Sequence, residues 1–354
     1  MQEDAHIVTL DMGDAKRTSI FAVFDGHGGK LVAMYVAKHL ENALKSSEHF
    51  ESGDLGLAIA ESFYKIDADL ETPEGMQELR KLAGISTRRS MNLFPDVEQI
   101  EIPEENENKT PARQKSSKQF IESALARHSV IPTDDYTGLP VEEPIRDDDS
   151  DDFAEHKATG MGCTAVAALV RGRDVTIANT GDSRCVISRR GVAEPLTLDH
   201  KPVLLEEAER IMNAGGFVRD NRVNGALNVS RTIGDLDFKR NENLPHTHQM
   251  VVATPDITTF ELQKGDEFLI LACDGIWDVL SNQEAVDFVR KRIKQGQDLG
   301  SICEDMCDHC LAPDLKGLCR GADNMSVIIL LFRETAELSG PWLAFKRAFF
   351  RLGC

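Results

Sequence analysis

Four short apolar runs in this chain lead into or follow an aspartate, and that pattern constrains the fold more than any bulk property. Phe21-Ala22-Val23-Phe24 runs into Asp25-Gly26-His27-Gly28-Gly29, and Leu269–Cys273 runs into Asp274-Gly275, with Asp278 four residues on. Val175–Asn179 leads to Gly181-Asp182-Ser183-Arg184, and Asp323-Asn324 stands just before Met325–Phe332. Runs of this length, rich in Val, Ile, Leu and Phe and bounded by turn residues, predict strands. They fall far short of the ~20 apolar residues of a membrane span. Each acid sits where the chain enters or leaves the core. If those strand ends share one edge of a sheet, the carboxylates converge, and like charges so placed must take up protons or gather a cation. An all-oxygen set selects a hard ion, Mg²⁺ or Mn²⁺. Two such ions can activate water for attack on phosphorus, and His27 could then protonate a leaving oxygen. Any one Asp-Gly after a strand is ordinary turn chemistry; the weight lies in their joint occurrence.

Helical signals are fewer. Val32, Tyr35, Val36, Leu40 and Leu44 lie on one face of a helix over 30–44. A second helix over 205–213 stops at Gly215-Gly216. Ser281-Asn282-Gln283-Glu284 is a capping box opening a third, with Val286, Val289 and Ile293 on one side.

The chain of 354 residues carries a net charge of −19. About half of that lies between Glu101 and His156, where 15 acidic and 6 basic residues stand with 5 of the 13 prolines. Such a stretch buries too little apolar surface to offset its ordering entropy, so about 76–157 reads as a disordered acidic insertion between folded parts at 1–75 and 158–333. The acidic balance excludes a generic nucleic-acid binder. Eight cysteines in a chain of this size, several inside apolar runs, read as reduced thiols. The first residues show no basic and apolar signal-peptide pattern. A cytoplasmic or nuclear location follows as the expectation.

Taken with their order, these strings are recognisable. Glu3-Asp4-Ala5-His6, Phe24-Asp25-Gly26-His27-Gly28-Gly29, Gly181-Asp182-Ser183-Arg184, Asp199-His200-Lys201-Pro202, Arg222-Val223-Asn224-Gly225, Ser230-Arg231-Thr232-Ile233-Gly234-Asp235, Ala272-Cys273-Asp274-Gly275-Ile276-Trp277-Asp278 and Asp323-Asn324-Met325-Ser326-Val327 resemble the metal-dependent serine/threonine protein phosphatases of the PPM family, PP2C type. The resemblance spans about 3–72 and 158–333. It implies an α+β fold, a four-layer α-β-β-α sandwich of two antiparallel sheets, forming one phosphatase domain over 1–333 interrupted by the insertion. It further implies that Asp25 bridges two Mg²⁺ or Mn²⁺ ions and that Asp274 and Asp323 complete one site. The Gly26 carbonyl contributes to the other, with Glu3 and Asp4 acting nearby, mainly through water. Asp182, Asp274 and Asp278 match a third, weaker site. A bridging water or hydroxide would attack phosphoserine or phosphothreonine of a protein substrate, with His27 as proton donor. Residues 199–225 match the family's flap beside the cleft.

The family's phosphate-holding Arg, carried just before the Glu-Asp-Ala-His string, would fall before Met1, and its strand with it. The expected sandwich therefore lacks its first strand and has an open sheet edge. Either the sequence begins short of that Arg, the favoured reading because every metal-matching carboxylate is present, or a lost charge-assisted donor weakens phosphate binding by ~1.5–3 kcal/mol, and a weakly active or inactive scaffold of the same fold is the alternative function. Arg184 and Arg222 are the remaining candidates to meet the phosphate, each equally able to pair with a carboxylate. Asp235 and Arg231 are expected to hold a turn near the cleft. Cys303, Cys307 and Cys310 share a helix face and read as buried thiols rather than zinc ligands. The aromatic, basic tail 334–354 is expected either as a helix packed on the domain or as a membrane-surface or partner contact. The protein is expected to be a monomer.

Overall fold

The computed structural model describes residues 2–84, 160–312, 321 and 323–332, together with the backbone of 346–352. Most of the acidic insertion, from 85 to 159, and its expected disorder lie outside the described residues.

Ten strands form two five-stranded antiparallel sheets. The first is built from β1 (Ala5–Thr9), β2 (Ser19–Phe24), β5 (Ala165–Arg171), β6 (Asp174–Thr180) and β12 (Asp256–Glu261), in that spatial order. The second has the order β15 (Lys346–Leu352), β14 (Met325–Leu331), β13 (Asp266–Ala272), β7 (Arg184–Arg189), β8 (Val192–Pro195). Side chains alternate between the faces of a strand, so every residue of β2 can be buried, and all six are. Phe21 and Val23 point to the space between the sheets, meeting Leu269, Leu271, Ile328 and Leu330 from the other sheet. Ile20, Ala22 and Phe24 point the other way, onto α1 (Leu31–Lys45) and α3 (Leu55–Asp69). The second sheet repeats the arrangement. Val186, Phe268, Ile270 and Val327 pack on α6 (Asp274–Trp277), α7 (Asn282–Lys294) and α8 (Leu299–Cys310). The result is the expected α-β-β-α sandwich. Burial of each large apolar side chain contributes about 1.5–3 kcal/mol, and Phe21→Ala, at the centre, would cost about 3–5 kcal/mol.

Local signals explain the helices. The capping box of α7 is present, with Ser281 and Glu284 satisfying each other's backbone donors. Cys303, Cys307 and Cys310 are buried thiols on the inward face of α8, in an apolar layer and outside any disulfide among the described residues. Trp277 is core, its indole donating to the Ala272 carbonyl at 2.8 Å. The folded part runs further than its composition suggests. Thr72 caps α4 (Pro73–Leu82), whose Gly75 and Leu79 are buried despite charged neighbours, so the ordered chain passes residue 76.

The tail differs from the helix expected of it. The backbone of 346–352 is a strand in antiparallel register along β14, from Leu331↔Lys346 to Met325↔Leu352. An edge strand presents a row of unpaired amide and carbonyl groups, and a second strand satisfies them. The edge of the second sheet beside β14 is therefore covered.

Candidate active site

The two sheets bring the sequence's aspartates to one end. Asp25 follows β2, Asp182 follows β6, Asp274 follows β13, and Asp323 precedes β14. Asp4 stands one residue before β1 and is fully buried. Two glycines let the backbones close up here. A Cβ on Gly26 would sit 2.3 Å from the Glu3 carbonyl oxygen, and one on Gly275 would sit 2.2 Å from that of Asn324. The N-terminal segment is tied to the last strand by Glu3 N–H donating to Asn324 Oδ1 at 2.6 Å and Ser326 Oγ to Asp4 Oδ2 at 2.7 Å.

The acids disturb one another. Burial, then the charges of Asp4, Asp274, Asp182 and Asp323, push Asp25 well above the usual carboxylate range. Burial, with Asp182, Asp323 and Asp278, raises Asp274 to about 7, against the opposing pull of Lys201. Asp182 and Asp4 are raised as well, burial again being the largest cause. Asp4 Oδ1 is buried with no hydrogen-bond partner among the described residues. An orphaned carboxylate oxygen among mutually repelling carboxylates fits a hard divalent cation in chemistry and in charge. The acids nevertheless do not close into a cage: among the described residues no three His, Cys, Asp or Glu side chains are arranged to hold an ion by themselves. Carbonyl oxygens and water must complete any coordination shell.

His27 is positioned by a miniature sheet. β4 (Gly162–Cys163) pairs on one side with β3 (Gly26–His27) and on the other with β11 (Ile233–Gly234). This ladder sets Asp235, next in the chain, beside the histidine, Oδ2 lying 2.7 Å from His27 Nε2. Asp235 is 2% exposed and takes a left-handed backbone, φ 50°. Burial pushes His27 toward its neutral form, but the Asp235 carboxylate, with Asp182 and Glu3 beyond it, outweighs this and holds the imidazole above its ordinary value. Asp235 thus does more than hold a turn. Lys201 was likewise missed as a site residue, although it lies in the Asp-His-Lys-Pro string. Its ammonium donates to Asp182 Oδ2.

The two arginines offered for the phosphate lie elsewhere in role. Arg184 is committed: Nε and Nη2 grip Asp199 at 2.9 and 2.7 Å, Nη1 donates to Asn282 at 2.7 Å, and the guanidinium lies 5.3 Å from the Trp277 ring centre. Arg222 is exposed on the ribbon of β9 (Val218–Arg219) and β10 (Arg222–Val223), donating to the Ala226 carbonyl at 2.6 Å. Asp278 is exposed at the end of α6 and reaches the cluster through its charge on Asp274. The flap-like segment carries α5 (Leu205–Asn213) and its own small core of Ile211, Val223, Leu227, Val229 and Val251.

Comparisons with known proteins place the chain in a family. The family model described as "Protein phosphatase 2C" matches residues 1–86 and 96–317. The chain is 40% identical over 332 residues to "Probable protein phosphatase 2C 21" of Arabidopsis thaliana, covering 94% of this chain and 83% of that protein. It is 32% identical over 478 residues to "Protein phosphatase 1G" of Homo sapiens, covering 95% and 87%. In fold it matches the serine-threonine phosphatase 2C of Toxoplasma gondii with a TM-score of 0.60 at 18% identity, over 94% of this chain and 91% of that one. The chain belongs to the protein phosphatase 2C family. It is accordingly a serine/threonine protein phosphatase acting on phosphoproteins, of a metal-dependent class, and the inactive-scaffold alternative is not favoured.

Proposed function

We propose that hydrolysis takes place at the carboxylate cluster, with Asp25 as its centre. The observation that carries this reading is the convergence of Asp4, Asp182, Asp274 and Asp323 on Asp25 at a single end of the sandwich, where burial and then these charges raise the pKa of Asp25, and burial with Asp182 and Asp323 raises that of Asp274. Asp25, Asp274 and Asp323, with the Gly26 carbonyl, would hold two Mg²⁺ or Mn²⁺ ions; Glu3 and Asp4 would act through water, and Asp182 and Asp278 would face a third. Bound there, such ions supply charge that lowers the pKa of water and offsets that of the phosphate. His27 gives a proton to the departing Ser or Thr oxygen. Because Nε2 is engaged by Asp235, Nδ1 is the nitrogen left for transfer, and Asp235 fixes the ring and favours its charged form. Lys201, beside Asp182, is better placed than Arg184 or Arg222 to bring positive charge to this end of the sheets. The six described cysteines are buried thiols in no disulfide among the described residues, which suits a reducing cytoplasmic or nuclear setting. The test is turnover of a phosphothreonine peptide with Mn²⁺, its loss on adding chelator, and calorimetric Mn²⁺ uptake that Asp25→Asn abolishes. Mn²⁺ uptake and turnover unchanged in that variant would overturn the assignment.

A further inference from the structure

A second charged site lies at the opposite end of the first sheet. The turn between β1 and β2, with Lys45, Phe50, Glu51 and Arg171, lines a cavity of about 390 Å³, a volume typical of small-ligand sites, roughly 300–1,000 Å³. Arg171, the last residue of β5, is firmly held. Its Nε donates to Thr18 Oγ1 at 2.8 Å and its Nη2 to the Phe50 carbonyl at 3.2 Å, and the guanidinium lies 4.9 Å from the Phe50 ring centre. Its third nitrogen, Nη1, is buried with no hydrogen-bond partner among the described residues. Lys16 Nζ reaches the same place. A Cβ on Gly53 would lie 3.2 Å from Lys16 Nζ and 3.7 Å from Arg171 Nη1, and Gly53 closes the preceding helix (Glu48–Ser52) at φ 106°.

The nearby acids do not balance this. Asp14 lies 3.6 Å from Arg171 Nη2, but its two oxygens already accept from Thr18 N at 2.6 Å and Thr18 Oγ1 at 2.9 Å. Lys45 reaches Glu41 only at 3.9 Å. Glu51 lines the cavity as its other carboxylate, and Lys16 Nζ has no ion pair or hydrogen bond among the described residues. Two cations converging on one point, one with buried unused donors, are stabilised by an anion that both can share.

We propose that this cavity binds a phosphate dianion, free or as a monoester on a small molecule or side chain, through Arg171 Nη1, Lys16 and Lys45. The site shares no residue with the carboxylate cluster and does not depend on the mechanism proposed there. It is tested on the full chain with chelator present, which keeps divalent cations, and anions they recruit, off the cluster. Inorganic phosphate and N-acetyl phosphoserine amide are titrated separately by calorimetry, with the amide resonances of Thr18 and Gly53 followed in parallel. Saturable binding that shifts both resonances is expected. The double variant Lys16→Glu/Lys45→Glu, on half-exposed or exposed side chains, is expected to bind at least 10-fold more weakly, and Arg171→Gln not at all. Should Arg171→Gln fail to fold, the double variant decides. Binding of phosphate alone assigns the free anion as occupant; binding of the amide alone, or of both, assigns the monoester. No saturable binding of either, or wild-type affinity in the double variant, overturns the proposal.

Discussion

Two groups of acids in this protein behave in opposite ways. At the sheet ends Asp4, Asp25, Asp182 and Asp274 are all pushed up, burial being the largest cause and other carboxylates adding to it. Beside the flap, Glu207 faces two arginines. Arg231 and Arg210 grip it at 2.6 and 2.7 Å, and Ser230 Oγ donates to it at 2.5 Å. Burial alone would raise Glu207, but these partners bring it down to about 2. Asp256, which accepts from His200 at 3.0 Å and Arg231 at 2.8 Å, is also lowered to about 2, His200 being the largest cause. Glu207 is buried like Asp4 and Asp182, whereas Asp256 is exposed; what differs is the supply of cations, two arginines on Glu207 against Lys201 on Asp182 in the cluster. A carboxylate supplied with its own partner holds the flap to β12. Carboxylates largely left without one stay under repulsive stress that an external ion can relieve.

The contrast can be broken by experiment. Asp25→Asn should lose several kcal/mol of transition-state stabilisation, about 10³-fold or more in peptide turnover. Its metal-free thermal midpoint should stay level or rise, because one repelling charge is gone. A fall in that midpoint would mean the cluster is structural. Glu207→Ala should do the reverse, taking the paired carboxylate from Arg210 and one of two from Arg231, and costing about 3–5 kcal/mol in urea unfolding. A negligible cost would remove the distinction between the groups. Asp235→Asn frees the His27 ring, and kcat should drop about 10- to 100-fold with KM little changed, a fraction of what general acid catalysis supplies.

Acid titration in chelator sharpens the same point through its sign. Glu207 and Asp256 have folded values below their unfolded ones. Their contribution is present above about pH 4.5 and is lost as pH falls toward 2. Asp274, raised to about 7, binds more protons folded than unfolded between about pH 4 and 7, so its share of stability declines as pH rises through that window. Mn²⁺ should abolish the second slope and leave the first, and Glu207→Gln should reduce the first alone, leaving the share of Asp256. Thermal unfolding across pH 2–8 reads both.

Much of this was visible in the order of residues. Apolar runs ending on aspartates reveal strands and site together, because the acid marks where a buried strand meets water. The capping box and the face of Val32, Tyr35, Val36 and Leu40 are equally local, set by contacts within a few residues. Long-range pairings were not legible. Asp235 lies 208 residues from the histidine it orients, and nothing in its neighbourhood distinguishes that role from capping a turn. The tail is a similar case. Its aromatic and basic residues suit a helix or a strand, and the unpaired backbone edge of β14 decides between them. The boundary near residue 76 was misplaced because charge on the outward face of α4 resembles the insertion's composition.

The tie between Glu3-Asp4 and Asn324-Ser326 spans more than 320 residues of chain. Contacts that distant form late, since most of the intervening polypeptide must already be ordered. On the ribosome, no nascent chain lacking residue 326 can assemble this corner of the molecule, whatever else has folded. Chains stopped short of residue 326 therefore emerge with the N-terminal acids made but without the partner that ties them in place.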